Sequence, residues 1–215
     1  MSFLRSTLLA SALILPLSAP AVMAETPENM LVVAQNIDDI VALDPAQAYE
    51  FTAGELLTNI YDRLVQYDAE DPTELVSGLA ESWETDPENK TITFTLRDAT
   101  FHSGNPVTGE DVVFSFKRVV DLNLNPAFIL TQLGWTPENV EEMVTADGNT
   151  VTVKYGGDYS PAFVLNVLAA RPASVVDKKL VMENEVDGDQ GNAWLNQNSA
   201  GTGPFQLAGY RPSEM

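Results

Sequence analysis

The chain of 215 residues carries 31 acidic and only 11 basic side chains, one histidine and no cysteine, for a formal net charge of −20. Partners that present phosphates, such as nucleic acids and anionic membranes, require clustered lysine and arginine, so this composition argues against them. Without cysteine the chain has neither disulfides nor an attachment site for a lipid anchor. We therefore expect a protein that depends on its hydrophobic core for stability.

The first 24 residues have the features of a secretory signal peptide. Arg5 precedes an apolar run from Leu8 to Leu17, and the small residues Val22 and Ala24 predict cleavage before Glu25. No later segment is apolar for long enough to span a bilayer. We expect an exported protein without direct membrane insertion.

The next part of the chain predicts a strand, a loop and a helix. Met30 to Ala34 is a short apolar run that favours a strand, and Asp44-Pro45 is typical of an Asx-type turn in a loop. Leucine and isoleucine then recur at helical spacing, which predicts a helix from about Phe51 to Leu64. Val65 to Tyr67 is a candidate strand after it.

The clearest local pattern runs from Thr91 to Val120. Threonines alternate with Ile92, Phe94 and Leu96, which predicts a strand with one buried face. The residues Ser103 to Pro106 favour a turn, and Thr108 with an acidic residue three positions later predicts a capped helix. The apolar stripe of that helix comprises Val112, Val113, Phe116, Val119 and Val120. We expect Phe116 and Trp83 in the core.

The last third of the chain predicts further mixed elements. A hairpin is expected from Val140 to Tyr155, with strands over 140–145 and 150–155 joined by the Asp147-Gly148 turn. Three helices and a strand follow in the order Pro161 to Leu168, Val176 to Glu183, Asn192 to Asn198, and Phe205 to Tyr210. The sequence thus predicts an α/β fold without internal repeats.

No catalytic or metal-binding pattern stands out. His102 is the only histidine, and a lone histidine in an extended segment favours a structural hydrogen bond over a metal or catalytic role. The acidic pairs Asp38-Asp39 and Glu141-Glu142 favour solvated surface over general acid and base roles. We expect no catalytic residue, no metal ligand and no cofactor.

Five segments together carry a family resemblance. They are "LDP", "YDRLVQYD", "LAESWE", "FTLRDATFHSGNPVTGEDVVFSFKR" and "GTGPF", in this order. The set resembles the N-terminal part of the family 5 extracellular solute-binding proteins, which are the peptide, nickel and opine receptors of ABC importers. Longer matches of this kind are more specific than any short motif.

The resemblance implies a periplasmic binding protein-like α/β fold of type II, in which two lobes close like a clamshell on a ligand. The first lobe has a main domain, expected over 25–46 and 173–215, and an inserted α+β subdomain, expected over 47–172. The second lobe is expected to be absent from this chain. The family pattern thus implies boundaries that periodicity alone does not give.

The resemblance also implies a function. It predicts a periplasmic substrate-binding component that captures oligopeptides or dipeptides and delivers them to an ABC permease in the inner membrane. Nickel complexes, opines and sugars are alternative solutes that the sequence does not exclude. The alternatives are a secreted hydrolase that uses a carboxylate pair, and a binding module that presents this lobe to a protein partner.

Five residues are candidates for ligand contact. Tyr49 and Phe51 lie in a segment that resembles one wall of the family's cleft, although packing at the start of a helix explains them equally well. Gly201, Thr202 and Gly203 favour a turn between a helix and a strand, and the resemblance adds that their backbone lies beside the ligand.

Overall fold

The computed structural model describes residues 26–211, so the predicted signal peptide lies outside the described residues. The chain divides into two units, residues 1–35 and 36–215. In the described part of the first unit, 26–35, no residue is in a helix or strand. The predicted strand from Met30 to Ala34 is therefore wrong. Its side chains are exposed, up to 88% for Leu31, and these ten residues contain no second strand to pair with it.

The second unit begins with a loop that leads into helix α1 (Phe51–Ile60). The predicted Asx turn is confirmed, because the Asp44 carboxylate accepts the amide of Ala46 at 2.9 Å. Helix α1 ends four residues earlier than predicted, since Tyr61 has extended backbone angles. The carbonyls of Asn59 and Ile60 accept the amides of Phe205 and Gly203 at 3.0 and 2.9 Å. The end of this helix is thus capped by a distant segment.

Two antiparallel sheets follow. Strands β1 (Val65–Tyr67) and β2 (Leu75–Ser77) pair with each other, so the predicted strand at 65–67 is confirmed. The larger sheet has the order β3-β4-β6-β5. Its strands are β3 (Ala80–Asp86), β4 (Thr91–Leu96), β5 (Val144–Asp147) and β6 (Thr150–Lys154). Every neighbouring pair in this sheet is antiparallel, and β4 buries its apolar face as predicted.

The hairpin prediction is correct at its turn and wrong at its start. Gly148 has a φ of +58°, which is the conformation that the tight turn requires. Residues Val140–Met143, however, form a helical turn, α4. The Thr136 carbonyl accepts the amides of Asn139 and Val140, and the Asn139 side chain accepts the Thr136 amide, so a local turn replaces the first half of the strand.

Helix α2 (Gly109–Leu122) starts at the predicted cap, Thr108. The Thr108 amide and hydroxyl both donate to the Asp111 carboxylate, at 2.9 and 2.6 Å. Phe116 is fully buried and stacks on Trp135 with ring centroids 5.8 Å apart. Trp83, on the edge strand β3, is half-buried and packs against the core cluster, so its predicted place in the core is confirmed only in part.

The remaining helices are short. They are α3 (Phe128–Thr131), α5 (Pro161–Leu168), α6 (Lys178–Glu183) and α7 (Asn192–Leu195). Helix α6 starts two residues later than predicted because Asp177 caps it, accepting the Leu180 amide at 3.0 Å. The predicted strand from Phe205 to Tyr210 is wrong, since no strand among residues 26–211 pairs with it.

Two hydrophobic clusters lie within residues 36–215. The larger one joins the four-stranded sheet to α2, α3 and α5, and the smaller one joins α1 to α6 and α7. A buried ion pair between Asp44 and Arg118 ties the loop before α1 to α2. No helix in the described part of the chain is long and apolar enough to cross a membrane.

Candidate functional site

The predicted site residues occupy two different places. Tyr49 and Phe51 lie at the start of α1 and are 44% and 90% exposed. Gly201 and Gly203 are buried at the other end of the same helix, with Thr202 half-buried between them. The structure therefore does not bring all five residues to a single cavity.

Tyr49 lines two adjoining cavities. The first, here called the arginine cavity, measures about 350 Å³. It is lined by Ala48, Tyr49, Thr58, Arg63, Tyr67, Ile129, Ala169, Ala170, Arg171 and Pro172. The second, here called the helix-start cavity, measures about 340 Å³ and is lined by Tyr49, Glu50, Phe51 and Arg171. Tyr49 and Arg171 thus belong to both.

Arg63 is the buried cation of the arginine cavity. Only 6% of the residue is exposed, and its Nε atom is buried without a hydrogen-bond partner among the described residues. Burial lowers the pKa of the Arg63 guanidinium, Asp62 acts in the opposite direction, and Arg171 lowers it further. Arg63 therefore brings a buried positive charge to the cavity, and Asp62 is the carboxylate that acts on it most strongly.

The Arg171 guanidinium packs against helix α1 at Gly54. A Cβ atom at Gly54 would stand 1.9 Å from the Arg171 Nη1 atom and 2.3 Å from its Cζ atom, so only glycine leaves room for the guanidinium there. The following Pro172 fixes the backbone in a short 3₁₀ turn, Arg171–Ala173. Gly54 inside a helical pattern was the one sequence signal of this close approach.

Aromatic rings form the sides of the arginine cavity. Tyr49 packs edge-on against Phe128, with ring centroids 5.8 Å apart. The Tyr67 hydroxyl donates to the Asn166 side chain at 2.9 Å, which fixes its ring. The cavity thus combines apolar walls with a few polar groups, as is typical of small-molecule sites.

The start of α1 has no side-chain cap. Glu50 stands at the N-cap position, but its carboxylate accepts the Tyr49 amide at 3.2 Å and does not cap the helix. The first turn of the helix contains no acidic residue. The positive end of the helix dipole therefore faces the same region as Arg171.

The glycine segment packs tightly against the last turn of α1. A Cβ atom at Gly201 would lie 2.2 Å from the Ile60 carbonyl oxygen, and one at Gly203 would lie 2.6 Å from that of Asn59. Thr202 donates to the Asp62 carboxylate at 2.9 Å. Close backbone packing thus accounts for both glycines, and contact of this segment with a ligand stays a prediction.

His102 is the structural residue that the sequence predicted. Its amide donates to the Gly201 carbonyl at 3.1 Å, and its Nε2 atom lies 2.9 Å from the Gly203 carbonyl oxygen. Because a carbonyl can only accept, Nε2 must carry the proton. His102 therefore fastens the glycine segment in place.

The candidate site is cationic, and the acidic pairs of the sequence lie elsewhere on the surface. The acidic residues Asp38, Asp39, Glu141 and Glu142 are all exposed, as predicted. Within residues 26–211 no cluster of three or more histidine, aspartate or glutamate side chains is arranged to hold a metal ion. The arginine cavity offers two cations, aromatic walls and hydrogen-bond donors, which suit an anionic group.

Comparisons with known proteins agree with this architecture. The family profile described as "Bacterial extracellular solute-binding proteins, family 5 Middle" matches residues 74–215. The probable D,D-dipeptide-binding periplasmic protein DdpA of Escherichia coli K12 is 33% identical over 214 residues, covering 98% of this chain and 39% of that protein. The periplasmic oligopeptide-binding protein OppA of Haemophilus influenzae is 28% identical over 213 residues, covering 94% of this chain and 39% of that protein.

A solved structure shares the fold. The crystal structure of Haemophilus influenzae OppA in complex with RPPGFSPFR superposes with a TM-score of 0.66 at 27% identity, covering 80% of this chain and 34% of that one. The fold is thus that of a periplasmic binding protein, of which the chain covers part of one lobe. The chain belongs to the bacterial extracellular solute-binding proteins of family 5. It spans about two fifths of the length of these relatives, which are named as binding proteins.

Proposed function

We propose that this chain is part of a periplasmic substrate-binding component of an ABC importer, and that its solutes are dipeptides or oligopeptides. The observation that carries the proposal is the family match, in which relatives named for dipeptide and oligopeptide binding align with nearly the whole chain. The exposed rings of Tyr49 and Phe51 beside two cavities support it, since open apolar walls are what a peptide side chain requires.

Tyr49, Phe51 and Arg171 form the ligand-contacting surface in this proposal. Gly201, Thr202 and Gly203 position the opposite end of α1, and their backbone borders the solute where it extends along that helix. Peptide affinity then comes largely from main-chain hydrogen bonds, and tolerance of sequence comes from roomy, hydrated side-chain pockets.

The domain boundaries belong to the same proposal. Residues 25–46 and 173–215 form the main domain of the first lobe, and residues 47–172 form the inserted subdomain. The smaller hydrophobic cluster joins Ile40 and Leu43 to Val176, Val181 and Leu195, which supports this division. The same cluster also contains α1, so this helix packs on the main domain in the proposal. A ligand that bridges this lobe and a second one shifts the population to a closed form, and the closed form docks on the permease.

Thermal melting against a panel of solutes tests the proposal. Millimolar trialanine should raise the melting temperature, because a ligand that binds only the folded state stabilises it by RT ln(1 + [L]/Kd). Maltose, nickel chloride and mannopinic acid serve as the other members of the panel. A rise with one of these and none with trialanine would replace the peptide proposal.

The hydrolase alternative is tested in the same samples. Chromatography of trialanine after a day at 25 °C should recover it intact, since the candidate site has no nucleophile with an adjacent base. Release of alanine that depends on Glu141 or Asp38 would favour the hydrolase over the binding protein.

A further inference from the structure

The arginine cavity is a cationic site in a strongly acidic protein. The whole chain has a net charge of −20, yet Arg63 and Arg171 both line this one cavity. Arg97, Lys117, Arg118 and Lys178 each form an ion pair, whereas neither cavity arginine forms one with the described residues. Two guanidinium groups without a carboxylate partner within 4 Å are unusual when acids outnumber bases so heavily.

Two carboxylates near the cavity arginines make other contacts. Asp62 accepts the Thr202 hydroxyl at 2.9 Å and lies 3.7 Å from the Arg97 guanidinium. Glu50 lines the helix-start cavity, where its carboxylate accepts the Tyr49 amide. No other acidic residue lines either cavity. The arginine cavity therefore has two guanidinium groups and no carboxylate among the described residues that line it.

The buried guanidinium of Arg63 lacks a hydrogen-bond acceptor for its Nε–H group in the described part of the chain. Buried polar groups in proteins are almost always hydrogen-bonded, and the Nε atom of Arg63 is not bonded within the described residues. A guanidinium presents donors in a fixed fork that matches the two oxygens of a carboxylate. The cavity volume of about 350 Å³ has room for such a group together with several neighbouring atoms.

We infer that the arginine cavity binds a carboxylate of the solute, held by Arg63 and Arg171 between the rings of Tyr49 and Tyr67. The inference rests on the proposed function and narrows it to solutes that bear a carboxylate within reach of this lobe. The carboxylate comes either from an acidic side chain or from the C-terminus of a peptide. Gly54 has a positioning role, because it leaves room for the Arg171 guanidinium against α1, where Arg171 lines the cavity.

The first test uses small molecules that do not depend on peptide binding. Glutarate and glutaramide have nearly the same shape, but only glutarate carries carboxylates. Titration of the ¹⁵N-labelled full chain with each is followed through the Nε–H signals of the arginine side chains. Glutarate should shift the signals of Arg63 and Arg171 saturably, with an affinity at least about tenfold above that of glutaramide, because charge-assisted bonds are the stronger ones. Equal affinities would overturn the inference.

Variants assign the effect to the cavity. Arg171→Gln should reduce glutarate affinity about tenfold, and Arg171→Lys should restore part of it as a point charge without the fork. Lys154→Gln removes one positive charge from an exposed position on β6 and should leave the affinity within about twofold, which controls for net charge. Arg63→Gln is the second variant and should also reduce glutarate affinity. If the Arg63→Gln variant does not fold, the result for Arg171→Gln decides the outcome. An unchanged affinity in Arg171→Gln would contradict the assignment.

Peptide pairs identify the source of the carboxylate. Ala-Glu-Ala against Ala-Gln-Ala tests an acidic side chain, and trialanine against its C-terminal amide tests the terminus. A preference for the acid in either pair that disappears in Arg171→Gln supports the inference. If peptides bind without any such preference, the inference fails and the peptide function stands. If glutarate binds and no peptide does, the cavity is a carboxylate site and the peptide function fails.

Discussion

At the scale of single residues, Asp44 and Arg118 form an ion pair in which both side chains are buried. The Arg118 Nη1 atom donates to Asp44 Oδ1 at 2.7 Å, and the Nη2 atom donates to the second oxygen, so the contact is bidentate. Asn192 also donates to Asp44, at 2.6 Å, and Arg118 Nε donates to the Gln190 carbonyl at 2.7 Å. The pair therefore joins the loop before α1, helix α2 and the segment that leads into α7.

Replacing one member of this pair should lower the stability of the fold. Asp44→Asn keeps the size of the side chain but leaves the Arg118 charge buried without compensation, which should lower the free energy of unfolding by about 3 to 5 kcal/mol. Urea unfolding measures the change. Asp38→Asn, on the exposed side of the same loop, is the matched control and should change it by less than about 0.5 kcal/mol. Equal effects would mean that the pair does not hold these segments together.

The sequence predicted the local part of this arrangement and not the distant part. The Asx turn at Asp44 follows from the residue type and the proline after it, because its hydrogen bond spans two residues. Arg118 lies 74 residues away, and no periodicity or spacing predicts such a partner. Arg63 and Arg171 were missed for the same reason. The only local signal of the close approach at Gly54 is an isolated glycine in a helical pattern, which was not used in the prediction.

At the scale of elements, the capped helix α2 was predicted well because all its signals are local. Thr108 marks the start, Asp111 completes the box, and the stripe that includes Phe116 sets the buried face. The errors lie where an element depends on a partner. Met30–Ala34 and Phe205–Tyr210 have the composition of strands, but a strand needs a hydrogen-bonded neighbour, which residue composition does not show.

Two substitutions, one at the cap of α2 and one inside the helix, should lower stability by different amounts. Thr108→Ala removes the N-cap hydroxyl that donates to Asp111 and should cost about 1 kcal/mol of stability. Phe116→Ala removes a fully buried ring stacked on Trp135 and should cost about 3 to 5 kcal/mol. Denaturant unfolding of both variants measures the two losses in the free energy of unfolding. A Phe116→Ala variant as mild as Thr108→Ala would show that this face does not pack in the core.

Aspartates in the turns between strands predict that the stability of the fold depends on pH. Hydrogen bonds from Asp71 and Glu70 amides lower the pKa of Asp68, those from Thr73 lower the pKa of Asp71, and those from Asn89 and Glu88 lower the pKa of Asp86. A carboxyl group whose pKa is lower in the folded state stabilises the fold above its unfolded pKa of about 4. That contribution is lost as the pH falls through the folded value.

The urea midpoint should therefore fall as the pH drops below about 4, because these aspartates, together with other carboxylates, become protonated. The triple variant Asp68→Asn, Asp71→Asn, Asp86→Asn should show a shallower fall, because its amides keep hydrogen-bond acceptors that do not titrate. The measurement is the midpoint at several pH values between 7 and 2.5. A triple variant with the same pH dependence as the parent chain would contradict the role of these turns.

At the scale of the whole molecule, the sequence predicted the fold class through its family resemblance. Periodicity supplied strands and helices, but the arrangement of α/β elements as part of a binding-protein lobe followed from the order of five segments along the chain. The domain boundaries stay predictions, because they depend on how the chain leaves and re-enters the main domain. The cavities could not be predicted, since distant segments line them together.

The chain covers 39% of the length of the relatives it matches, and clamshell closure in the proposal requires contacts from two lobes. A single lobe provides part of those contacts. We therefore expect residues 25–215 to bind peptides at least about a hundredfold more weakly than a two-lobed relative, a difference of about 2.7 kcal/mol in binding free energy. Any direct measurement on this chain must detect weak binding.

The central claim is that the start of α1 and the arginine cavity form the peptide-binding surface of this lobe. The most direct measurement is a ¹H–¹⁵N NMR titration of the chain with trialanine, which detects millimolar affinities and reports the residues involved. We predict saturable shifts at the amides of Tyr49, Phe51 and Arg171, with little change at exposed positions on β6 such as Lys154. No saturable shift, or shifts confined to residues far from these two cavities, would contradict it.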